Sequence, residues 1–264
     1  MLNRHVICQG KTKIIYQGPS QDTYIQYFKD DITAFNNKKH EVLEGKGILN
    51  NMISDFIMTG LSLAGVRNHL VKRLNMREQL VQAVSIIPFE VVVRNTVAGS
   101  FSKRYGIQEG DPLSQPLIEY FLKDDSLGDP MITDDHISLC GWASAQEIED
   151  IQYLALRVND FLLGIFYAAG IKLIDFKLEF GRLWDNETHA VILADEISPD
   201  TCRLWDMHTD RKLDKDIFRS ESNEDLVATY REVAKRMGIK LMDQQSCSSQ
   251  ISEHRSVKLV NQED

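Results

Sequence analysis

Apolar and polar positions alternate most regularly over residues 171–181, IKLIDFKLEFG, where Ile174, Phe176, Leu178 and Phe180 take turns with Asp175, Lys177 and Glu179. A period of two predicts a strand with its apolar side chains on one face. The other face then carries acid, base, acid. Residues 190–194 predict a second strand that ends in Asp195 and Glu196, with a polar loop over 181–189 between the two. Elsewhere the period lengthens to that of a helix. Ile148, Ile151, Leu154, Ala155, Val158, Phe161, Leu162, Ile165 and Phe166 form one stripe; Ser144 and Glu147 supply a capping box before it and Gly170 a stop after it. Residues 48–64, ended by Gly65, and 225–237, ended by Gly238, predict two more helices.

The start of the chain reads as short strands at 5–8, 13–17 and 23–28, with turns at Gly10 and at Gly18-Pro19-Ser20. A polar loop over 29–47 follows. Residues 68–74, 79–87 and 89–94 are strand candidates, the last (FEVVVR) rich in β-branched residues. Residues 99–110 predict a short helix between glycines. Pro116, Gly128 and Pro130 break 113–135 into an irregular segment whose length points to function. A break near 80–85 separates a small strand-rich unit, 1–82, from a larger α+β unit, 83–241; 242–264 is a polar tail.

With 264 residues and 43% hydrophobic content, the chain can bury a substantial core. Its formal net charge of −9 disfavours non-specific contact with nucleic acid or anionic membrane. No apolar run reaches membrane length, and no signal-peptide apolar stretch opens the chain. Cys8, Cys140, Cys202 and Cys247 have neither CxxC nor metal-ligand spacing, so a reduced cytoplasmic protein is expected.

The paired acidic strands change the picture most. Asp175, Glu179, Asp195 and Glu196 gathered around Lys177 repel one another unless a cation sits among them, and Mg²⁺ is the hard ion that takes such oxygen ligands beside phosphates. A solvated face with cross-strand ion pairs is the other reading. Gly10-Lys11-Thr12-Lys13 places two cations on a hairpin able to lie over nucleotide phosphates, although it is no P-loop and reads equally as a solvated turn. Arg94-Asn95-Thr96-Val97-Ala98-Gly99-Ser100 runs from a strand end to a helix start, so Arg94, Ser100, Lys103 and Arg104 form an anion-binding candidate or an ordinary cap. In the charged stretch 200–219, Arg203 lies within eight residues of the proposed metal carboxylates and suits an anion clamp.

These segments resemble the phosphoribosylaminoimidazole-succinocarboxamide synthase (SAICAR synthetase) family over nearly all of 10–238. The matching runs are GKTK at 10–13, GKGILNN at 45–51, VVVRNTVAGS at 91–100, FLKDDSLGDPM at 121–131, LIDFKLEFG at 173–181, ADEISPDTCRLWD at 194–206 and LDKDIFR at 213–219. The resemblance implies a two-lobed α+β fold related to ATP-grasp ligases, with nucleotide between a small strand-rich N-terminal lobe and a larger lobe. It implies an ATP-dependent ligase of purine biosynthesis that joins L-aspartate to carboxyaminoimidazole ribonucleotide, with ATP and Mg²⁺ required, and a homodimer. Gly10, Lys11, Thr12, Lys13 and Lys123 would then hold nucleotide, and Glu179 and Asp195 the metal. Arg94, Ser100, Arg104, Asp175, Lys177, Ser198 and Arg203 would bind substrate, with Lys123, Asp175 and Lys177 catalytic.

The expected chemistry is attack of the substrate carboxylate on the γ-phosphoryl of ATP, then displacement of phosphate from the acyl phosphate by aspartate's amine. Asp175 or the substrate itself is the candidate base. A small-molecule kinase would use the same hairpin and carboxylates but release ADP without aspartate. A non-catalytic nucleotide-binding protein would show binding without turnover.

Overall fold

In the computed structural model, residues 4–34, 38–220 and 224–241 are described; the tail read at 242–264 lies outside the described residues. Strands β1 (Val6–Gln9), β2 (Lys13–Gln17) and β3 (Thr23–Phe28) form where short alternating runs are separated by turns, as their pattern predicts. The polar stretch 29–47 is not a plain loop. It folds a two-stranded hairpin, β4 (Asp31–Ala34) with β5 (Lys39–Val42), because Ile32 and Ala34 reach the core from an otherwise charged segment. Helix α1 (Lys46–Leu63) follows, then β6 (Leu70–Arg73) and β7 (Glu78–Gln82). The first sheet is antiparallel, in the order β1-β2-β3-β7-β6.

The chain passes to the second sheet between Gln82 and the start of β8 (Ser85–Thr96), inside the interval where a break is expected. The single strand candidate at 79–87 is therefore split between two sheets. After α2 (Gly99–Tyr105), the segment expected to be irregular forms β9 (Pro112–Leu122), β10 (Met131–Ile132) and α3 (Asp134–Leu139). Proline is tolerated in β9 because β10 covers only Tyr120 and Phe121, which leaves Pro116 on an open edge. Helix α4 (Ala145–Ala168) begins with the predicted capping box: the Ser144 hydroxyl accepts from the Glu147 N–H, and the Glu147 carboxylate accepts from the Ser144 N–H.

Strand β11 (Ile171–Asp185) is the axis of the second sheet. It pairs along one edge with β8, and along the other with β13 (Cys202–Asp206) near its start and β12 (Thr188–Ala194) near its end. The polar loop expected over 181–189 shrinks to a tight turn at Asn186, whose φ is 56°, since both strands extend their pairing to Asp185 and Thr188. Gly181 is required by packing: a Cβ there would lie 2.6 Å from Val84 Cγ2. Two short helical elements close the described chain, α5 (Asp216–Arg219) and α6 (Leu226–Arg236).

One continuous core joins α4 (Ile151, Ala155, Val158, Leu162) to Phe176, Leu178 and Phe180 of β11 and to Val91 and Val93 of β8. Each fully buried side chain of this size stabilises the fold by about 1.5–3 kcal/mol. Ile53, Ile57 and Leu61 of α1 belong to the same core, as do Tyr230 and Val233 of α6. The first 82 residues thus contribute a sheet of their own but a helix to the common interior. Ile174 departs from the expected face: it packs with Ala98 and Trp205, while Leu173 and Phe176 both enter the main core. The cause is a register shift against β13 between Leu173 and Asp175.

Candidate functional site

A cavity of about 570 Å³ is lined by residues of both sheets. Gly10, Lys11, Thr12 and Lys13 form one wall, at the turn from β1 to β2. The Gly10 N–H donates to the Lys13 carbonyl (2.9 Å), and the Lys29 N–H to the Thr12 carbonyl (2.8 Å), which fixes the turn beside β3. Ile15, Val81, Val84 and Ile86 give another wall an apolar surface. Glu90, Lys123, Lys177, Glu179 and Asp195 line the charged part, with His69.

Strand geometry explains the charged wall. Asp175, Lys177 and Glu179 are successive outward positions of β11, and Glu179 stands opposite Glu90 of β8 and Ala194 of β12. Asp195 therefore arrives one residue beyond the last pair, with a left-handed φ of 56° that asparagine and aspartate tolerate better than most residues. Lys177 Nζ lies 2.8 Å from Glu90 Oε1, 2.8 Å from Glu179 Oε1 and 3.7 Å from Asp195 Oδ2. Lys13 pairs with Asp195 and, at 2.8 Å, with Glu196. Lys123, just past β9, pairs with the other oxygen of Glu179. Three ammonium groups thus face four carboxylates, Glu90, Glu179, Asp195 and Glu196, a formal balance of −1.

Burial alone would pull both lysines toward neutrality, but the carboxylates outweigh it. Asp195 and Glu196 raise Lys13 above its ordinary value, and Glu179, Asp195 and Glu90 do the same for Lys177. Burial likewise pushes Asp195 upward, and Lys13 and Lys177 reverse it to well below the usual carboxylate range. For Glu179, burial and the Asp195 charge raise the pKa, while Lys177 and Lys123 bring the net shift down. Lys13, Lys177, Glu179 and Asp195 are each held in the charged form. His69 behaves oppositely: burial lowers its pKa to about 4, against the pull of Asp195, so the ring is neutral.

Among the described residues, no group of three or more His, Cys, Asp or Glu side chains is arranged to enclose a metal ion. Glu179 and Asp195 do share the cavity wall, and Lys177 reaches both. Such a donor set fits Mg²⁺, which takes one or two carboxylates and completes its shell with phosphate and water.

The remaining site candidates assemble elsewhere on the same face. Asp175 lies four residues from Glu179, roughly 13 Å along the strand. It is flanked by Arg94 of β8 on one side and Arg203 of β13 on the other. Arg94 Nη1 donates to Asp175 Oδ2 (2.8 Å), its Nε to Glu119 (2.7 Å) and its Nη2 to Ser100 Oγ (3.2 Å). Arg203 Nη1 reaches both Asp175 oxygens (3.0 and 2.8 Å), and its Nε donates to Asp216 (2.8 Å). Arg104 pairs with Glu119. Gly99 is needed here: its φ is +55°, and a Cβ would lie 2.5 Å from Arg203 Nη2.

The four carboxylates expected around Lys177 are therefore divided. Asp175 belongs to the arginines, its carboxylate accepting from two guanidinium groups. Ser198 is buried, and its hydroxyl accepts from the Asp200 N–H (3.2 Å), bracing a turn. Lys11 leans toward the 121–131 segment, 2.6 Å from Asp125. Sequence reasoning passed over Glu90 and His69. The alternation of FEVVVR places Glu90 opposite Phe89, Val91 and Val93, a signal that was available; His69 offered none.

A sequence profile described as SAICAR synthetase matches residues 6–237. The phosphoribosylaminoimidazole-succinocarboxamide synthase of Bartonella quintana (strain Toulouse) is 60% identical over 239 residues, covering 90% of this chain and 94% of that one. Its counterpart in Rhizorhabdus wittichii (strain DSM 6014 / CCUG 31198 / JCM 15750 / NBRC 105917 / EY 4224 / RW1) is 55% identical over 255 residues, 97% of this chain and 98% of its own. Among solved structures, the synthase from Ehrlichia chaffeensis superposes with a TM-score of 0.87 at 48% identity, covering 90% of this chain and all of that one. A SAICAR synthetase (type 2) in complex with ADP gives 0.85 at 40% identity, again over 90% and 100%. With a profile match across both sheets and these identities over nine-tenths of its length, this chain belongs to the SAICAR synthetase family.

Proposed function

We propose that this chain is the ATP-dependent ligase that joins L-aspartate to the carboxylate of carboxyaminoimidazole ribonucleotide, giving SAICAR, ADP and phosphate in purine biosynthesis. The observation that carries the reading is the cavity itself: an apolar wall for a base beside three lysines and paired carboxylates for a triphosphate and its metal. The ADP complex of a relative with 40% identity supports nucleotide as its occupant.

A carboxylate is a poor acyl electrophile until phosphorylated. The substrate carboxylate attacks the γ-phosphorus, ADP leaves, and the acyl phosphate then loses phosphate to aspartate's amine. Lys13, Lys123 and Lys177 exchange part of their pairing with Glu179, Asp195 and Glu196 for the phosphoryl oxygens, and so neutralise charge where it develops. Glu179 and Asp195 would hold Mg²⁺, which would supply further neutralising charge. The 10–13 turn lies over the phosphates. Arg94, Ser100, Arg104 and Arg203 hold the anionic groups of the ribonucleotide, oriented by Asp175 and Glu119. We assign Ser198 to the turn that carries Asp200 rather than to direct contact.

We also propose a cytoplasmic homodimer whose partners are these small molecules. No helix among the described residues is long and apolar enough to cross a membrane. Initial rates with ATP, Mg²⁺, aspartate and the ribonucleotide test the reaction: ADP, phosphate and amide should form in equal amounts, each requiring aspartate. ADP release at an undiminished rate without aspartate would point to a kinase instead.

A further inference from the structure

His69 sits where the two sheets meet. Its N–H donates to the Leu193 carbonyl of β12 (2.9 Å), and its carbonyl accepts from the Gln82 N–H at the end of β7 (2.7 Å). Asn68 makes a parallel bridge to Leu193, whose N–H donates to the Arg67 carbonyl (3.1 Å). The segment thus joins the sheet carrying the Lys13 turn to the strand delivering Asp195. The His69 side chain is buried, lines the cavity, and has Nε2 2.9 Å from the Asp195 carbonyl oxygen. A carbonyl only accepts, so Nε2 carries the hydrogen. Asp195 is held in the left-handed region, which a non-glycine residue adopts at a cost unless its surroundings over-determine it. Its carboxylate there meets Lys13 and Lys177.

We propose that His69 is a positioning residue for the phosphate end of the nucleotide cavity: its Nε2–H holds the Asp195 carbonyl, and this keeps the left-handed turn that aims the Asp195 carboxylate between Lys13 and Lys177. The proposal rests on the nucleotide reading of that cavity. Loss of the donor leaves the carbonyl unsatisfied and releases the backbone to a commoner conformation, which swings the carboxylate away. No contact to the ribonucleotide is involved, so its binding is untouched.

Titration calorimetry of the intact protein with ADP and Mg²⁺, together with steady-state kinetics, provides the test. His69→Leu should weaken ADP binding at least tenfold and raise KM for ATP to match, with KM for the ribonucleotide within twofold of wild type. His69→Gln, which keeps an N–H donor, should stay within threefold for both. In an Asp195→Asn background the leucine change should cost less than threefold more, because its effect runs through that carboxylate. Equal losses in the leucine and glutamine variants, or a full tenfold loss in the Asp195→Asn background, would overturn the proposal. Ring ¹⁵N shifts of the wild-type protein check it independently of variant folding: an Nε2–H tautomer is expected, and an Nδ1–H tautomer overturns it. Failure of wild type to bind ADP would instead overturn the nucleotide reading, whereas wild-type binding with an undiminished leucine variant would overturn only the role of His69.

Discussion

Two charged clusters share one face of β11 and are built on different terms. Around Lys177 and Glu179 the cations are lysines, point charges on flexible stems, and they border an open cavity of about 570 Å³. Around Asp175 the cations are arginines. Arg94 is 2% exposed, with Nε, Nη1 and Nη2 each on a separate partner. In the proposed reaction the lysines trade carboxylates for phosphates as ligand enters and leaves. The arginine forks are set in advance, at the cost of burying charge, and cannot move without stranding Glu119 and Asp175. One strand thus presents an exchangeable cluster and a preassembled one, the first proposed above for a nucleotide and the second for a substrate anion.

The largest effect separating them should come from the exchangeable side. Glu179→Gln and Asp195→Asn should each lower kcat about 10²–10³-fold in protein that is still folded, if these groups act on developing charge as proposed. Steady-state rates at saturating Mg²⁺ decide it; normal turnover by either variant would remove that carboxylate from the mechanism. On the preassembled side, Arg94→Lys should destabilise the fold by about 3 kcal/mol in urea titration, because an ammonium cannot serve Glu119, Asp175 and Ser100 together. A cost below about 1 kcal/mol would mean the arginine cluster is as adaptable as the lysine one.

A third ion cluster, away from both, sharpens the contrast as a purely structural reference. Glu147 caps α4 and accepts from Arg182 Nε (2.5 Å) and lies 3.0 Å from His189 Nε2. The Arg182 hydrogen bond is the main cause that lowers its pKa from 4.5 to about 2, against burial. Its folded value lies below its unfolded one, so the stabilisation is complete above about pH 4.5 and is lost as pH falls toward 2. Up to about 3 kcal/mol of acid sensitivity is expected from this group. Glu147→Gln should flatten that part of a stability–pH curve measured by denaturant melts. The smallest effect belongs to the exposed Lys11–Asp125 pair: Asp125→Ala should shift stability by less than about 0.5 kcal/mol.

Much of this architecture was legible in the chain. The capping box at Ser144 and Glu147, the helical stripe beyond it and the alternation of β11 are local patterns, and local patterns report period and face. Strand β9 escaped because its prolines mimic a loop; they are admitted by an edge that β10 covers at only two positions. The β4–β5 hairpin escaped because, among its described residues, only Ile32 and Ala34 are buried apolar ones.

Alternation along β11 was enough to say that Asp175, Lys177 and Glu179 share a face, and the motif runs were enough to name the family. It could not say which neighbours each would meet. Asp175 falls between Arg94 and Arg203, while Lys177 meets Glu90, 87 positions away, and Asp195 takes Lys13, 182 positions away. Those partnerships depend on strand order, on a register shift before Asp175 and on the His69 segment that joins the sheets. A strand's sequence encodes the direction of its side chains, whereas the electrostatic field around them is summed over residues that only the packed chain brings close.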